Sequence, residues 1–358
     1  MDTAAINSAL ERRTLTKRPQ HFLSEPEPLE KYIADHLLFR DHLIGFYFKL
    51  GLGFNFGTDA VFIGKDNWLF QKTHPLQHNL PTIKSYQNKV LFSNNEHVKI
   101  IQNLMKIKKL CDENHIRLYV MFPPDKHRIY ARYMPSYIFR DKRQSPVKQL
   151  VSLLPGEINI VPLEDMLLKN SYSPKELLYY KQDSHWSEEG AFLVYQQLMK
   201  SIQKDFPKIH ALSKQDFNIE KRTDIYSPYY NWINNAPIFA GGSLLIPGMK
   251  YTQKYNHYEF KHEKDIRIEH DMHFISSTYL FGIPLRVYII EDSFATYLHS
   301  FLSATFMYVH AYRFNPPGKP SWGIHFWDRL KEMQADKTNI LILSISDLKL
   351  KDLLEPFK

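Results

Sequence analysis

Three short apolar runs constrain this chain most: 117–122 (RLYVMF), 286–290 (RVYII) and 340–345 (ILILSI). Each is too short for a buried helix and lacks the polar alternation of a half-exposed strand. Such runs fit strands covered on both faces. Two weaker strands are read at 158–161 and 306–310. Helical periodicity lies between them. In 95–114, Val98, Ile101, Met105 and Leu110 fall along one face. In 188–202, Phe192, Tyr195, Leu198, Met199 and Ile202 do the same. Strands alternating with helices predict an α/β three-layer sandwich with a mainly parallel sheet.

The boundaries are softer. Residues 1–55 read as an N-terminal arm and helix, polar and proline-bearing at first and amphipathic over 29–50. Residues 56–358 read as one domain, because its chemistry-bearing motifs fall on both sides of any midpoint split. It opens with a hairpin at 61–70, where two apolar runs flank Gly64-Lys65-Asp66-Asn67. Residues 205–280, rich in charge, tyrosine and histidine, read as an irregular insertion.

Composition excludes several classes. Of 358 residues 44% are hydrophobic and 23% charged, which is the balance of a globular protein. Cys111 is the single cysteine, so no internal disulfide framework exists. The net charge of +8 favours an acidic partner. No zinc-finger or RNA-binding signature appears and no basic run forms an arm, so no nucleic-acid partner is expected. His262, His270 and His273 lie close in sequence, but no second cluster completes a metal site, and none is expected. The N-terminus shows no basic start followed by an apolar run, and no stretch of roughly 20 apolar residues follows. A cytoplasmic location is therefore expected; a chain trimmed of its anchor would read the same and would be periplasmic.

The chemistry lies in two segments. In Glu291-Asp292-Ser293-Phe294 a fully apolar strand ends, a serine follows and a helix begins. Ligands in open α/β sheets bind at the carboxyl ends of strands. The Ser293 N–H and the following helix N-terminus could stabilise an oxyanion there. In 181–190 (KQDSHWSEEG), Asp183 and His185 are two residues apart. In an extended or turn segment both can point the same way, so that Asp183 holds His185 Nδ1 while Nε2 faces a serine. Ser187 caps the next helix. Alone, each segment reads equally well as a helix cap or a polar loop; together they are more specific.

In sequence order, FIGKDNWLF (62–70), FPPDKHRIYARYMP (122–135), DSHWSEEG (183–190) and EDSF (291–294) resemble the SGNH-hydrolase-like O-acetyltransferases of bacterial exopolysaccharide systems, the alginate O-acetyltransferase type. The resemblance spans about 30–345 and implies a flavodoxin-like SGNH fold. It makes Ser293 the nucleophile, His185 the general base and Asp183 its orienting acid. Ser293, Gly242 and Asn315 are then candidate oxyanion donors. Lys126 becomes an anionic-substrate contact or a buttress, and Tyr130 and Trp186 become sugar platforms or core residues. Asn67 stands where the family has glycine, a change that positive φ at asparagine would allow.

The implied reaction transfers acetyl to a hydroxyl of a capsular or exopolysaccharide, with an anionic glycan favoured by the charge. No bound cofactor is implied. The donor would be acetyl-CoA in the cytoplasm, or acetyl passed from a membrane-bound acyltransferase or capsule-assembly machinery in the periplasm. An acetyl esterase with the same triad, or a silent polysaccharide-binding protein, are the alternatives.

Overall fold

A computed structural model describes residues 17, 26–37, 61–72, 82–90, 92–173, 176–226, 245–253, 259–264, 273–278, 282–314 and 323–357. The strands are β1 (Val61–Ile63), β2 (Leu69–Gln71), β3 (Arg117–Met121), β4 (Asn159–Val161), β5 (Phe217–Tyr226), β6 (Leu245–Gln253), β7 (Glu259–Lys264), β8 (His273–Thr278), β9 (Ile283–Glu291), β10 (Phe306–Arg313) and β11 (Ile340–Ser344). The helices are α1 (Pro26–His36), α2 (Thr82–Tyr86), α3 (Asn94–Glu113), α4 (Lys126–Ile129), α5 (Pro146–Leu153), α6 (Glu164–Asn170), α7 (Glu188–Asp205), α8 (His299–Thr305) and α9 (Phe326–Ala335).

Seven strands form the central sheet in the order β4-β3-β11-β9-β10-β8-β7. The first five run parallel, and β8 and β7 add an antiparallel edge. The three apolar runs are β3, β11 and β9, side by side at the centre. Their residues alternate between two cores. Tyr119, Met121, Val287, Ile289, Ile340 and Ile342 pack under α7 and α8. Leu118, Val120, Tyr288, Ile290, Leu341 and Leu343 pack under α3 and α9. Burial on both faces removes the polar alternation an exposed sheet would show. The expected three-layer α/β fold with a mainly parallel sheet is what the chain adopts.

Register carries this arrangement to the site. Ser344 pairs with both Met121 and Glu291, so β3, β11 and β9 end level. The loops after them meet along one rim, as ligand sites of open α/β sheets require.

Three local expectations change. Helix α3 begins at a Ser93–Glu96 capping box, but it buries Ile100, Leu104, Ile107 and Cys111. Val98 is exposed, because the i, i+4, i+7, i+11 stripe displaces the neighbouring one from the core. In the 61–71 hairpin the left-handed residue is Asp66 (φ 53°), one position before Asn67. The 205–280 stretch holds regular strands: β5 pairs with β6, and β7 and β8 join the main sheet. Its sequence hid them because stretches such as EFKHEK (259–264) carry too few apolar residues for a strong period-2 signal. Of the amphipathic stretch at 29–50, helix α1 covers the start, and 38–50 lie outside the described residues. No helix among the described residues is long and apolar enough to cross a membrane.

Candidate active site

The site is built where β9 and the loop before α7 meet. Ser293 follows β9 in a turn whose shape Asp292 sets. One Asp292 oxygen accepts from the Phe294 N–H (3.1 Å) and the other from the Ser346 N–H (2.8 Å). The Asp292 N–H donates to the Ser344 carbonyl at 3.3 Å. Both β9 and β11 therefore hold the turn, and the acidic residue of EDSF is a backbone clamp. Glu291, buried at the strand end, bonds His299 Nε2 at 2.7 Å and ties down the start of α8. A 3-10 turn (Ala295–Leu298) precedes α8, so no long helix points its dipole at Ser293. Among the described residues the Ser293 N–H has no hydrogen-bond partner.

The second segment arrives from α7. Ser187 caps that helix, its oxygen accepting from the Gly190 N–H at 3.2 Å. Gly190 is required for close approach: a Cβ there would lie 2.1 Å from the Leu178 carbonyl oxygen. The loop then turns so that Asp183 Oδ1 meets His185 Nδ1 at 2.8 Å and also accepts from the His185 N–H at 3.0 Å. His185 Nε2 lies 2.8 Å from Ser293 Oγ. These three groups, separated by up to 110 residues in sequence, form one hydrogen-bonded chain. Asp183 is buried while His185 and Ser293 are part-exposed, so the carboxylate end is dry and the hydroxyl end is reachable. Burial alone would raise the Asp183 carboxyl. The His185 ring beside it, its hydrogen bonds and the Lys126 cation outweigh that and hold it below the usual carboxylate value.

Lys126 is fully buried. Its ammonium donates to the carbonyls of Tyr180 (3.1 Å), Lys181 (3.1 Å) and Asp183 (2.5 Å). Burial pulls it down to about 7, against the raising influence of the Asp183 and Asp125 carboxylates. Lys126 thus holds the backbone of the 180–183 loop and, being fully buried, presents no surface to a substrate. Neither Tyr130 nor Trp186 offers a platform to a sugar, since both are fully buried. Tyr130 accepts the Leu178 N–H through its hydroxyl at 2.9 Å. Of the candidate oxyanion donors, Gly242 and Asn315 lie outside the described residues, as does His270 of the histidine cluster. Among the described residues no three His, Cys, Asp or Glu side chains gather as a metal cage.

One continuous aromatic column explains why the four motifs occur together. Trp68 stacks on Tyr130 at 4.3 Å, and Tyr130 meets Tyr179 at 6.0 Å. Tyr179 meets Trp186 at 6.5 Å, Trp186 meets Phe294 at 5.1 Å, and Phe294 backs His185 at 5.0 Å. Each motif contributes a ring, and the last ring seats the base. Asp292, Gly190 and this column were missed as site-building features. The only sequence signal for them was their place inside the motifs.

A serine–histidine–aspartate chain thus stands on the carboxyl rim of a mainly parallel sheet, an arrangement of the SGNH-hydrolase-like α/β fold. Residues 61–228 match the family model of the SGNH hydrolase-like domain of the acetyltransferase AlgX. Asp183 and His185 fall inside that stretch, and Ser293 beyond it. Among solved structures the chain is similar to Bacillus cereus PatB1, with 16% identity and a TM-score of 0.59 over 83% of this chain and 99% of that one. A PatB1 structure with a sulfonyl adduct matches at 16% identity and a TM-score of 0.58, over 83% and 100%. A DHHW family protein from Eubacterium siraeum matches at 10% identity and 0.57, over 83% and 95%. At these identities the structural likeness is one of fold. No curated protein sequence matches the chain.

Proposed function

We propose that this protein is an O-acetyltransferase that moves an acetyl group through Ser293 to a hydroxyl of a bacterial surface polysaccharide. The hydrogen-bonded chain Asp183–His185–Ser293, dry at the acid and open at the hydroxyl, carries this reading. The acetyltransferase-type domain match over 61–228 supports it.

In the first half-reaction Ser293 Oγ attacks the acetyl carbonyl and its proton passes to His185 Nε2. The oxyanion forms against the Ser293 N–H. His185 returns the proton to the leaving group, and acetyl-Ser293 remains. In the second half a sugar hydroxyl attacks that ester, His185 takes its proton, and Ser293 leaves with it restored. Asp183 stays a carboxylate throughout and accepts the Nδ1–H, which keeps Nε2 free to act as the base. Acetyl-CoA or an acetyl group handed over by a membrane-bound acyltransferase presents the same carbonyl to Ser293.

The test uses p-nitrophenyl acetate and acetyl-CoA as donors, with and without oligosaccharide. The expected results are a mass increment of one acetyl on Ser293, acetylated sugar as product, and loss of both in Ser293→Ala. A sulfonyl fluoride should label the wild type on Ser293. Equal turnover by Ser293→Ala would overturn the serine mechanism. Free acetate regardless of acceptor would make the protein an esterase, since water would then resolve the same acyl-enzyme.

A further inference from the structure

The loop between Tyr133 and α5 exposes aromatic rings that the mechanism does not use. Tyr137 is 57% and Phe139 78% exposed, while Ile138 between them is buried in the core. Large apolar side chains left in water forgo the stabilisation of burial. The loop is nonetheless held firmly. Asn88, in the left-handed region (φ 57°), donates to the carbonyls of Asp141 (2.9 Å) and Arg143 (2.7 Å). Buried Arg128 in turn fixes the Asn88 oxygen at 3.1 Å. The rings are thus presented in a pre-organised way, which lowers the entropy cost of binding.

Charge at this surface is one-sided. Residues 132–143 carry four cations and one carboxylate, and that carboxylate, Asp141, is already paired with Arg143 at 2.9 Å. Arg140 and Lys142, next to the rings in sequence, are exposed, and the Arg140 guanidinium lies 5.9 Å from the Tyr86 ring. Tyr137 packs edge-on against Phe62 of β1 (6.4 Å), over which Lys72 places its ammonium at 5.3 Å.

The hairpin links this surface to the catalytic loop. Phe62 pairs with Phe70 across it, and the Leu69 N–H donates to the Lys181 carbonyl at 2.9 Å. Tyr137, Phe62, the Phe70–Leu69 strand and Lys181 thus form a chain of neighbours from the rings to that loop, a path on the order of 15 Å with strands about 4.8 Å apart. An acceptor of several sugar units spans this distance; a single sugar does not.

We propose that Tyr137, Phe139, Arg140 and Lys142, with Phe62 and Lys72, form a remote subsite that binds the chain of an anionic polysaccharide acceptor. The subsite rests on the acetyl-transfer reading for its biological use, but its binding is measurable without turnover. Aromatic rings with one open face stack on sugar rings, and neighbouring cations match carboxylates along the polymer.

The experiment is affinity electrophoresis in native gels containing polygalacturonate, with neutral dextran as control. The wild type and Ser293→Ala should be retarded alike by polygalacturonate and by dextran not at all. A Tyr137→Ser/Phe139→Ser variant should bind about tenfold more weakly. An Arg140→Ser/Lys142→Ser variant should lose most of the salt dependence. All loop variants should keep wild-type p-nitrophenyl acetate turnover, because none touches the triad. Retardation unchanged in the loop variants, or absent in the wild type, overturns the proposal. Binding to anionic phospholipid vesicles without binding to polygalacturonate also overturns it and assigns the loop to a membrane surface. Failure of the acetyl-transfer reading would appear separately, as no acetyl-Ser293 with glycan binding intact.

Discussion

Lys126 shows how a single residue can be chemically important without touching substrate. Its ammonium sits among three backbone carbonyls of the catalytic loop, with the Asp125 and Asp183 carboxylates close by. It titrates near 7 in the folded chain and near 10.5 when unfolded. Between those values the unfolded chain holds the extra proton, so this residue makes stability rise with pH across that window, and its contribution levels off below about 7, where both states are protonated. Lys126→Met should flatten that rise, read as melting temperature against pH from 6 to 9. The same variant should lower kcat far more than it raises KM, because it frees the loop carrying Asp183 and His185. The sequence could place Lys126 near the site but could not choose between contact and buttress. Burial made that choice, and burial depends on what packs above the residue.

At the scale of elements, α7 and the segment preceding it act as one unit. Ser187 caps the helix, Gly190 lets the Leu178 carbonyl approach, and Trp186 locks the loop against Phe294. Gly190→Ala should therefore cost about 1–3 kcal/mol, the usual range for overpacking a close contact. Its Cβ would meet backbone, which cannot rotate away as a side chain tip can. Denaturant melts would measure the stability loss, and acetyl-Ser293 formation should fall more than the unfolded fraction explains. Helix α7 was legible in the sequence because its apolar period is strong and its cap is explicit. The buried face of α3 was misplaced because two adjacent apolar stripes compete there, and only the sheet decides which faces inward. Strands β7 and β8 escaped detection because EFKHEK (259–264) and HFISST (273–278) lack a strong apolar alternation.

For the whole molecule, two cores sandwich one sheet, and Cys111 lies in the core shared by α3, β3 and β11. Burial pushes its thiol up to about 12, so almost no thiolate exists near neutral pH. The folded protein should not react with a thiol reagent such as dithionitrobenzoate, and labelling should begin only as the molecule opens globally. Reductant should leave the melting temperature unchanged. Rapid labelling under native conditions would show that α3 detaches without the rest.

Local patterns in the sequence were enough to set the layer plan and to single out Asp183, His185 and Ser293. Uninterrupted apolar runs can be stable only as strands covered on both sides, and an Asp-x-His next to a capped helix and a serine after a buried strand name their own chemistry. These are local properties, set by side chains a few positions apart. Contact across more than a hundred residues came only with the packed fold. That fold brought His185 Nε2 within 2.8 Å of Ser293 Oγ, joined four motifs through one aromatic column, and turned Lys126, Tyr130 and Trp186 inward. Distances of that kind follow from strand order and register, since β3, β11 and β9 end level only once they pair. No linear pattern encodes which strand lies beside which, because pairing is decided by the packing of the entire sheet.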